Sequence, residues 1–496
     1  MLKKIFINIL KYSLLLLFII PIITLVYNSF LWFHKEWYFL LWYWLRNTIE
    51  VVLWSILVSL FLWLPSAIIL WYYKIKFSKF FVWTIILSLI IPWYTLALLY
   101  SDTFNFFFSK IGLIIVLWIS AAPYIFIGVY NSLINTSKKY MLTWKSLWLS
   151  DFQIIRKIIY PLIKPALLFW IVIVIAETSA DFGASFFLWV KTFMVNIYNL
   201  YFTIYDKITG SQFALILLFL IFLFSFLLKP FKNKINKFIN LKSGDVLIWD
   251  NKENLPKNNI QKLIIYSYLI FVVMVMFLIP IWILFYWLYL SRNFNFFTLN
   301  YFSPLFNTVL LLILAILIIN LISYILIKFF RKNNIIMSLL ILSYAIPWLL
   351  IWLWLIQITP YVSTFTMWLL ILLLWLTIKI SPLVIQNLYT QYIKISPKLR
   401  KTWYSLWRSR LDYIKKIELP LLKKWFIASS AVIFIEIVRE LPLTLILSPF
   451  NFSTLSTKIF HFQTLEQIEH SAIIILFMIL LTLIPIIYLY KKKIDL

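Results

Sequence analysis

The chain has no cysteine, which excludes disulfides, thiol catalysis and cysteine-ligated metals. Its three histidines, His34, His461 and His470, lie far apart near expected outer surfaces. An ordinary surface role is expected for them, and a metal role stays open. Acidic residues are scarce, 17 Asp and Glu against 45 Lys and Arg, for a net charge of +28. Charged residues make up only 12% of the chain and hydrophobic ones 64%. No water-soluble core absorbs that much apolar surface, so the hydrocarbon of a bilayer must. The basic residues fall between long apolar runs rather than along one polar domain. That pattern fits membrane lipid and excludes nucleic acid as the partner. Glycine is nearly missing, with five residues, Gly112, Gly128, Gly183, Gly210 and Gly244. No G-x-x-x-x-G-K-S/T motif exists, so this chain does not bind ATP through a P-loop.

What is present is a series of apolar runs, each near the roughly 20 residues that cross a bilayer. Twelve are expected, near 8–30, 48–73, 80–100, 111–133, 161–180, 211–229, 263–290, 305–328, 334–357, 363–386, 421–447 and 470–490. The first begins like a secretory signal (Lys3, Lys4, then apolar from Ser13) but lacks a small-residue cleavage site, so a retained helix is expected. With the N-terminus cytoplasmic, 36 Lys and Arg fall on the inner side and 7 on the outer. Lys379 and Arg439 remain inside spans, which accounts for all 45. The asymmetry predicts both termini inside.

The spans repeat. Asn47-Thr48 recurs as Asn307-Thr308, Ile91-Pro92-Trp93 as Ile346-Pro347-Trp348, and Ser146-Leu147-Trp148 as Ser405-Leu406-Trp407. Pro161 matches Pro420 and Glu177 matches Glu436, at the same offset of 259 residues. Six spans separate each match, so the copies face the same way. The predicted fold class is an all-α polytopic membrane protein of about 12 transmembrane helices in two parallel six-helix repeats. The units are expected at 1–229 and 263–496, joined by a polar linker at 230–262. Parallel repeats commonly place a transport path at their interface.

The two largest basic loops carry the most specific motif. One reads Thr143-Trp144-Lys145-Ser146-Leu147-Trp148, nine residues, then Ile158-Ile159-Tyr160-Pro161. The other reads Thr402-Trp403-Tyr404-Ser405-Leu406-Trp407, nine residues, then Ile417-Glu418-Leu419-Pro420. Here the sequence resembles the ABC-importer permeases, whose cytoplasmic loop runs E-A-A-x-x-x-G-x9-I-x-L-P. Leu142 and Lys401 stand where the family has Glu, and Tyr160 where it has Leu. The resemblance implies the type I importer permease fold, with coupling loops at 140–160 and 399–419 that seat a short helix on an ABC ATPase subunit dimer. It implies no catalytic residue and no cofactor on this chain, with ATP on the partner. It also implies an extracytoplasmic substrate-binding protein and an inner (plasma) membrane location.

A narrower resemblance covers nearly the whole chain. Glu177-Thr178-Ser179-Ala180-Asp181-Phe182-Gly183, followed by Asn196-Ile197-Tyr198, is similar to a stretch of the fused ferric-iron permeases. So is Glu440-Leu441-Pro442 followed by Thr444-Leu445-Ile446-Leu447 and Pro449. The resemblance implies ferric iron as substrate; thiamine, sulfate, polyamine and phosphonate permeases belong to the same wider group. Acidic residues in or beside spans are the functional suspects by default. Glu177 and Asp181, with Glu436 and Glu440, are expected to line the translocation path or its mouth. The bland alternative is that they order the outer loops or pair with Arg439. Spacing of four predicts each pair on one helix face.

Two rivals give less account of these residues. A major-facilitator carrier also has twelve spans in parallel halves, but Lys74-Ile75-Lys76-Phe77 lacks its basic G-x-x-x-D-R-x-G-R-type loop. A lipid-linked transferase needs clustered carboxylates or histidines in a large loop, and the outer loops are poor in both.

Tryptophan is as abundant as glycine is rare, 25 against 5. Aromatic belts at the bilayer surface explain some positions. They do not explain Trp148 and Trp407, where the resembled family has Gly in a polar loop, nor Trp93, Trp348 and Trp189. The two counts together amount to roughly 6% of the chain, an ordinary glycine content. The expectation is that the gene uses a code in which UGA specifies glycine, so that the natural residue at those five positions is Gly.

Overall fold

A computed structural model describes residues 38–134, 153, 155–227, 256, 258–291, 301–331, 333, 336–337, 340, 364–392, 395–405 and 409–492. Among them the regular structure is helical and no strand occurs. Among the described residues six helices are long and apolar enough to span a membrane, or seven spans if a helix pair bent by 93° counts as one. The chain is an all-α, multi-pass membrane protein. The expected first span lies outside the described residues, as does the ninth apart from residues 336–337 and 340.

Contacts divide the chain into two compact units, with described residues drawn from Phe33–Tyr286 and from Trp287–Leu496. The first contains α1 (Tyr38–Tyr72), α2 (Ser78–Leu87), α3 (Trp93–Thr103), α4 (Lys110–Ile134), α5 (Tyr160–Ser179), α6 (Gly183–Phe187), α7 (Phe193–Phe202), α8 (Lys207–Leu227) and α9 (Asn259–Val273). The division falls inside α10 (Ile279–Leu290). The second holds α11 (Phe302–Phe330), α12 (Phe365–Tyr392), α13 (Pro397–Ser405), α14 (Arg410–Tyr413), α15 (Leu419–Val438), α16 (Pro442–Leu447), α17 (Leu455–Thr464) and α18 (Ser471–Lys492).

In the first unit α1 and α4 run parallel. The Ser55 hydroxyl donates to the Ile114 carbonyl and the Ser59 hydroxyl to that of Trp118, each at 3.5 Å. Small hydroxyl side chains let two apolar helices approach closely where no water is present to pair their polar groups. A parallel pair requires the chain between them to travel back, and α2 with α3 does so.

The expected single span at 80–100 is in fact broken, with a bend of 93° between α2 and α3. Pro92 is the cause. The proline ring forces the preceding residue out of the helical region, and Ile91 is extended at φ −84, ψ 115. Pro92 then caps α3 from outside the helix.

Three other prolines act differently. Each is preceded, at a gap of one residue, by a single π turn: Ile155–Ile159 before Pro161, Met274–Leu278 before Pro280 and Ile414–Glu418 before Pro420. Proline offers no N–H and crowds the carbonyl four residues back. One extra residue in the turn relieves that crowding without ending the helix.

Past the polar linker, α9 returns to pack on the first unit. The Tyr268 hydroxyl lies 3.0 Å from that of Ser66 and donates to the Leu62 carbonyl, one turn from Pro65. Gln261 donates to the Tyr73 hydroxyl at 2.9 Å, and Tyr100 donates to the Val275 carbonyl at 2.6 Å. These bonds carry the compact unit on to Tyr286.

Of the five tryptophans expected to be glycine, Trp148, Trp348 and Trp407 lie outside the described residues. Trp93 opens α3 without a positive φ. Trp189 has φ 57 and is 85% exposed. Its N–H bonds to the Phe186 carbonyl at 3.2 Å and that of Val190 to the Ser185 carbonyl at 3.0 Å. This bond pair ends a helix at a left-handed residue, a place where glycine dominates because a Cβ is penalised. The equivalent position of the other unit, 262 residues on, is Asn451, also left-handed at φ 62, and Asn tolerates that conformation. Trp189→Gly is expected to stabilise the protein by about 1 kcal/mol, read as a higher unfolding temperature in detergent. Peptide mass spectrometry of the natural protein is expected to read glycine at 189; tryptophan there would overturn the reassignment for this site.

Candidate functional site

Two regions hold the polar chemistry of each unit, one at the start of α1 and α11, the other at the start of α5 and α15. The first is built from the Asn-Thr pairs. Asn47 donates its amide to the Lys191 carbonyl at 3.3 Å, and the Thr48 hydroxyl accepts the Phe193 N–H at 2.7 Å while donating to Trp44. In the second unit Asn307 donates to the Ser453 carbonyl at 3.0 Å. The Thr308 hydroxyl accepts the Leu455 N–H at 3.0 Å and donates to Pro304. The pair thus secures the first turn of a short helix, α7 or α17, whose leading N–H groups have no partner of their own.

The four acidic residues occupy the same end. Glu177 on α5 and Glu436 on α15 are half-buried. Asp181 and Glu440 do not share a helix face with them, because α5 ends at Ser179 and α15 at Val438. Instead, each begins a new helix. Asp181 is buried and accepts the N–H groups of Ala184 (3.3 Å) and Ser185 (2.8 Å) and the Ser185 hydroxyl (2.8 Å). Burial raises its carboxyl above the usual range, against the lowering effect of those bonds. Glu440 accepts the N–H of Leu443 at 3.1 Å.

The carboxylates differ in counter-charge. Glu440, 2% exposed at its side chain, forms an ion pair with Lys379 of α12. Arg439, which the sequence offers as a possible neutraliser of one of the four carboxylates, is not the partner in that bridge. The position matching Lys379, 259 residues earlier, is Ser120, which bonds to its own helix at Val116. Sequence inspection placed Lys379 in a span and went no further. Its signal was there, since a lone lysine in an apolar run needs a partner.

The second region is the pair of motif loops. Thr143, Trp144, Ser146, Leu147 and Trp148 lie outside the described residues, as do Leu406 and Trp407. The backbone of Ile158 lies in the first π turn, and Pro161 is exposed at the second residue of α5. In the second unit Thr402 is exposed and its hydroxyl donates to the Lys398 carbonyl at 3.0 Å. Trp403 is half-buried, with its indole N–H 3.3 Å from the Ser409 carbonyl, which braces α13 against the turn that follows. Ser405 is exposed at the end of α13. The Ser409 hydroxyl accepts the Asp412 N–H at 3.1 Å and donates to its carboxylate at 2.7 Å, so α14 starts from a reciprocal cap. Ile417 is half-buried, and Leu419 and Pro420 are exposed. Sequence reading passed over Glu418 as the variable position of the motif; the structure buries it.

Among the described residues no three His, Asp or Glu side chains stand close enough to hold a metal ion. His461 is exposed. His470 is buried rather than at a surface, its Nδ1 3.4 Å from the Tyr301 hydroxyl. His34 lies outside the described residues. No family model and no curated protein matches the chain.

Lys379→Met is expected to destabilise the protein by about 3–5 kcal/mol, because it leaves the buried Glu440 charge alone. Lys379→Met with Glu440→Gln is expected to recover most of that loss in thermal unfolding. A double variant as unstable as the single one would sink this account of the pair.

Proposed function

We propose that this chain is the transmembrane permease subunit of an ATP-binding-cassette importer, built as two parallel six-helix repeats with about 12 spans. It sits in the inner (plasma) membrane with both termini cytoplasmic. The observation that carries the reading is the matched construction of the two units. Asn47-Thr48 and Asn307-Thr308 make the same bonds to the segments before α7 and α17. Asp181 and Glu440 begin equivalent helices. A π turn precedes Pro161 and Pro420 at the same spacing. Together with the coupling-loop spacing, these features favour a duplicated permease over the rival readings.

In this mechanism the substrate arrives from a binding protein at the segments 31–46, 181–210 and 448–470. Nucleotide closes a separate ATPase dimer, the loops at 140–160 and 399–419 move with it, and the halves rock about their interface. Ferric iron is the proposed substrate. The support is the similarity of the Glu177–Gly183 and Glu440–Pro449 stretches to ferric-iron permeases and the four carboxylates they carry. Glu177 and Glu436 are half-buried within α5 and α15.

Affinity purification of the tagged chain from native membranes is expected to bring down a P-loop ATPase in stoichiometric amount. Replacing residues 399–419 is expected to release it. Recovery of the intact chain with no ATPase, under conditions that hold other such complexes together, would overturn the permease reading.

A further inference from the structure

Glu418 is buried two residues before Pro420, at the last residue of the π turn Ile414–Glu418. A carboxylate in such a place needs donors, and this one draws them from other helices. Tyr324 of α11 donates its hydroxyl to Glu418 Oε1. Tyr392, at the end of α12, has its phenol raised to about 12 by burial and by the nearby Glu418 charge.

Two cations stand behind the phenols. Lys328 Nζ lies 3.3 Å from the Tyr324 hydroxyl and over its ring. Arg331 donates to the Tyr392 hydroxyl at 3.3 Å and also lies over that ring. The Tyr389 hydroxyl bonds to the Arg331 carbonyl at 3.4 Å, joining the ends of α11 and α12. The buried side chain of Tyr413 comes from the segment itself. Glu418 thus ties the end of α11 to the segment leading into α15, and Arg331 joins the end of α11 to α12. In the first unit the positions matching Glu418, Tyr392 and Tyr324 are Ile159, Leu133 and Leu64, with Ile159 and Leu133 fully buried.

We propose that Glu418 is a positioning residue that locks the second coupling segment to α11 and α12, so that segment and helices move as one body. The inference rests on the permease reading above. Hydrogen bonds fix distance and direction, whereas apolar contact tolerates sliding.

The absence of cysteine permits a direct test. Spin labels on Lys416→Cys, exposed in the π turn, and Leu370→Cys, exposed on α12, report the spacing across the lock. The sample is the full chain with its co-purified ATPase, with and without ATP and vanadate. In the parent chain the distance is expected to stay the same in both conditions. With Glu418→Ala it is expected to shift or broaden on nucleotide binding, and Tyr324→Phe, which removes one hydroxyl, is expected to do the same. Glu418→Gln keeps an acceptor for Tyr324 and is expected to restore the fixed distance. A purely structural role would lower thermal stability and leave the nucleotide response unchanged. If either Glu418→Ala or Tyr324→Phe assembles with the ATPase and keeps the parent's fixed distance, the lock is overturned. It is equally overturned if the parent's own distance changes. If no P-loop ATPase co-purifies, the permease reading and the lock fall together, which separates that failure from the others.

Discussion

Inside a bilayer no water is available to a backbone N–H, and each one left without a partner costs several kcal/mol. That constraint explains why the polar residues of this chain stand where they do. A helix that stops short of the far side, or turns back, exposes N–H groups that only protein can satisfy. Asp181, Glu440, Thr48 and Thr308 meet that need at the beginnings of α6, α16, α7 and α17. Of these, Asp181 and Glu440 are also the sequence's candidates for a transport path, and in the structure they hold the starts of helices.

The two units solve the same backbone problem with different charges. Where Asp181 takes its support from Ser185 and backbone N–H groups, Glu440 adds Lys379. Where the first unit buries Ile159, the second buries Glu418, bonded to a tyrosine. Backbone geometry is shared because both segments carry the same Asn-Thr pair and the same prolines. Side-chain electrostatics has diverged, as expected when only the hydrogen-bond pattern, and not its chemical supplier, is fixed by the fold.

Most helices were legible in the sequence because uninterrupted apolar length decides them; α4, predicted at 111–133, runs Lys110–Ile134. The break at Pro92 was not, since hydropathy continues unchanged through the bend and only the backbone limits of Ile91 reveal it. The pairing of Glu177 with Asp181 failed for a related reason. A spacing of four implies a shared face only while the helix lasts, and α5 ends between them. Lys379 and Glu440 lie 61 positions apart, and no local pattern selects Lys379 over the adjacent Arg439. The left-handed backbone at Trp189 gives the glycine expectation there a physical basis.

The buried ion pair between Lys379 and Glu440 has an electrical side. A single elementary charge carried across the membrane field gains or loses about 2.3 kcal/mol per 100 mV. Two opposite charges in contact present the field with a dipole, and a dipole moved without rotation does almost no work against it. A displacement of α12 that keeps Lys379 beside Glu440 without turning the pair therefore moves almost no charge through the membrane field at that pair.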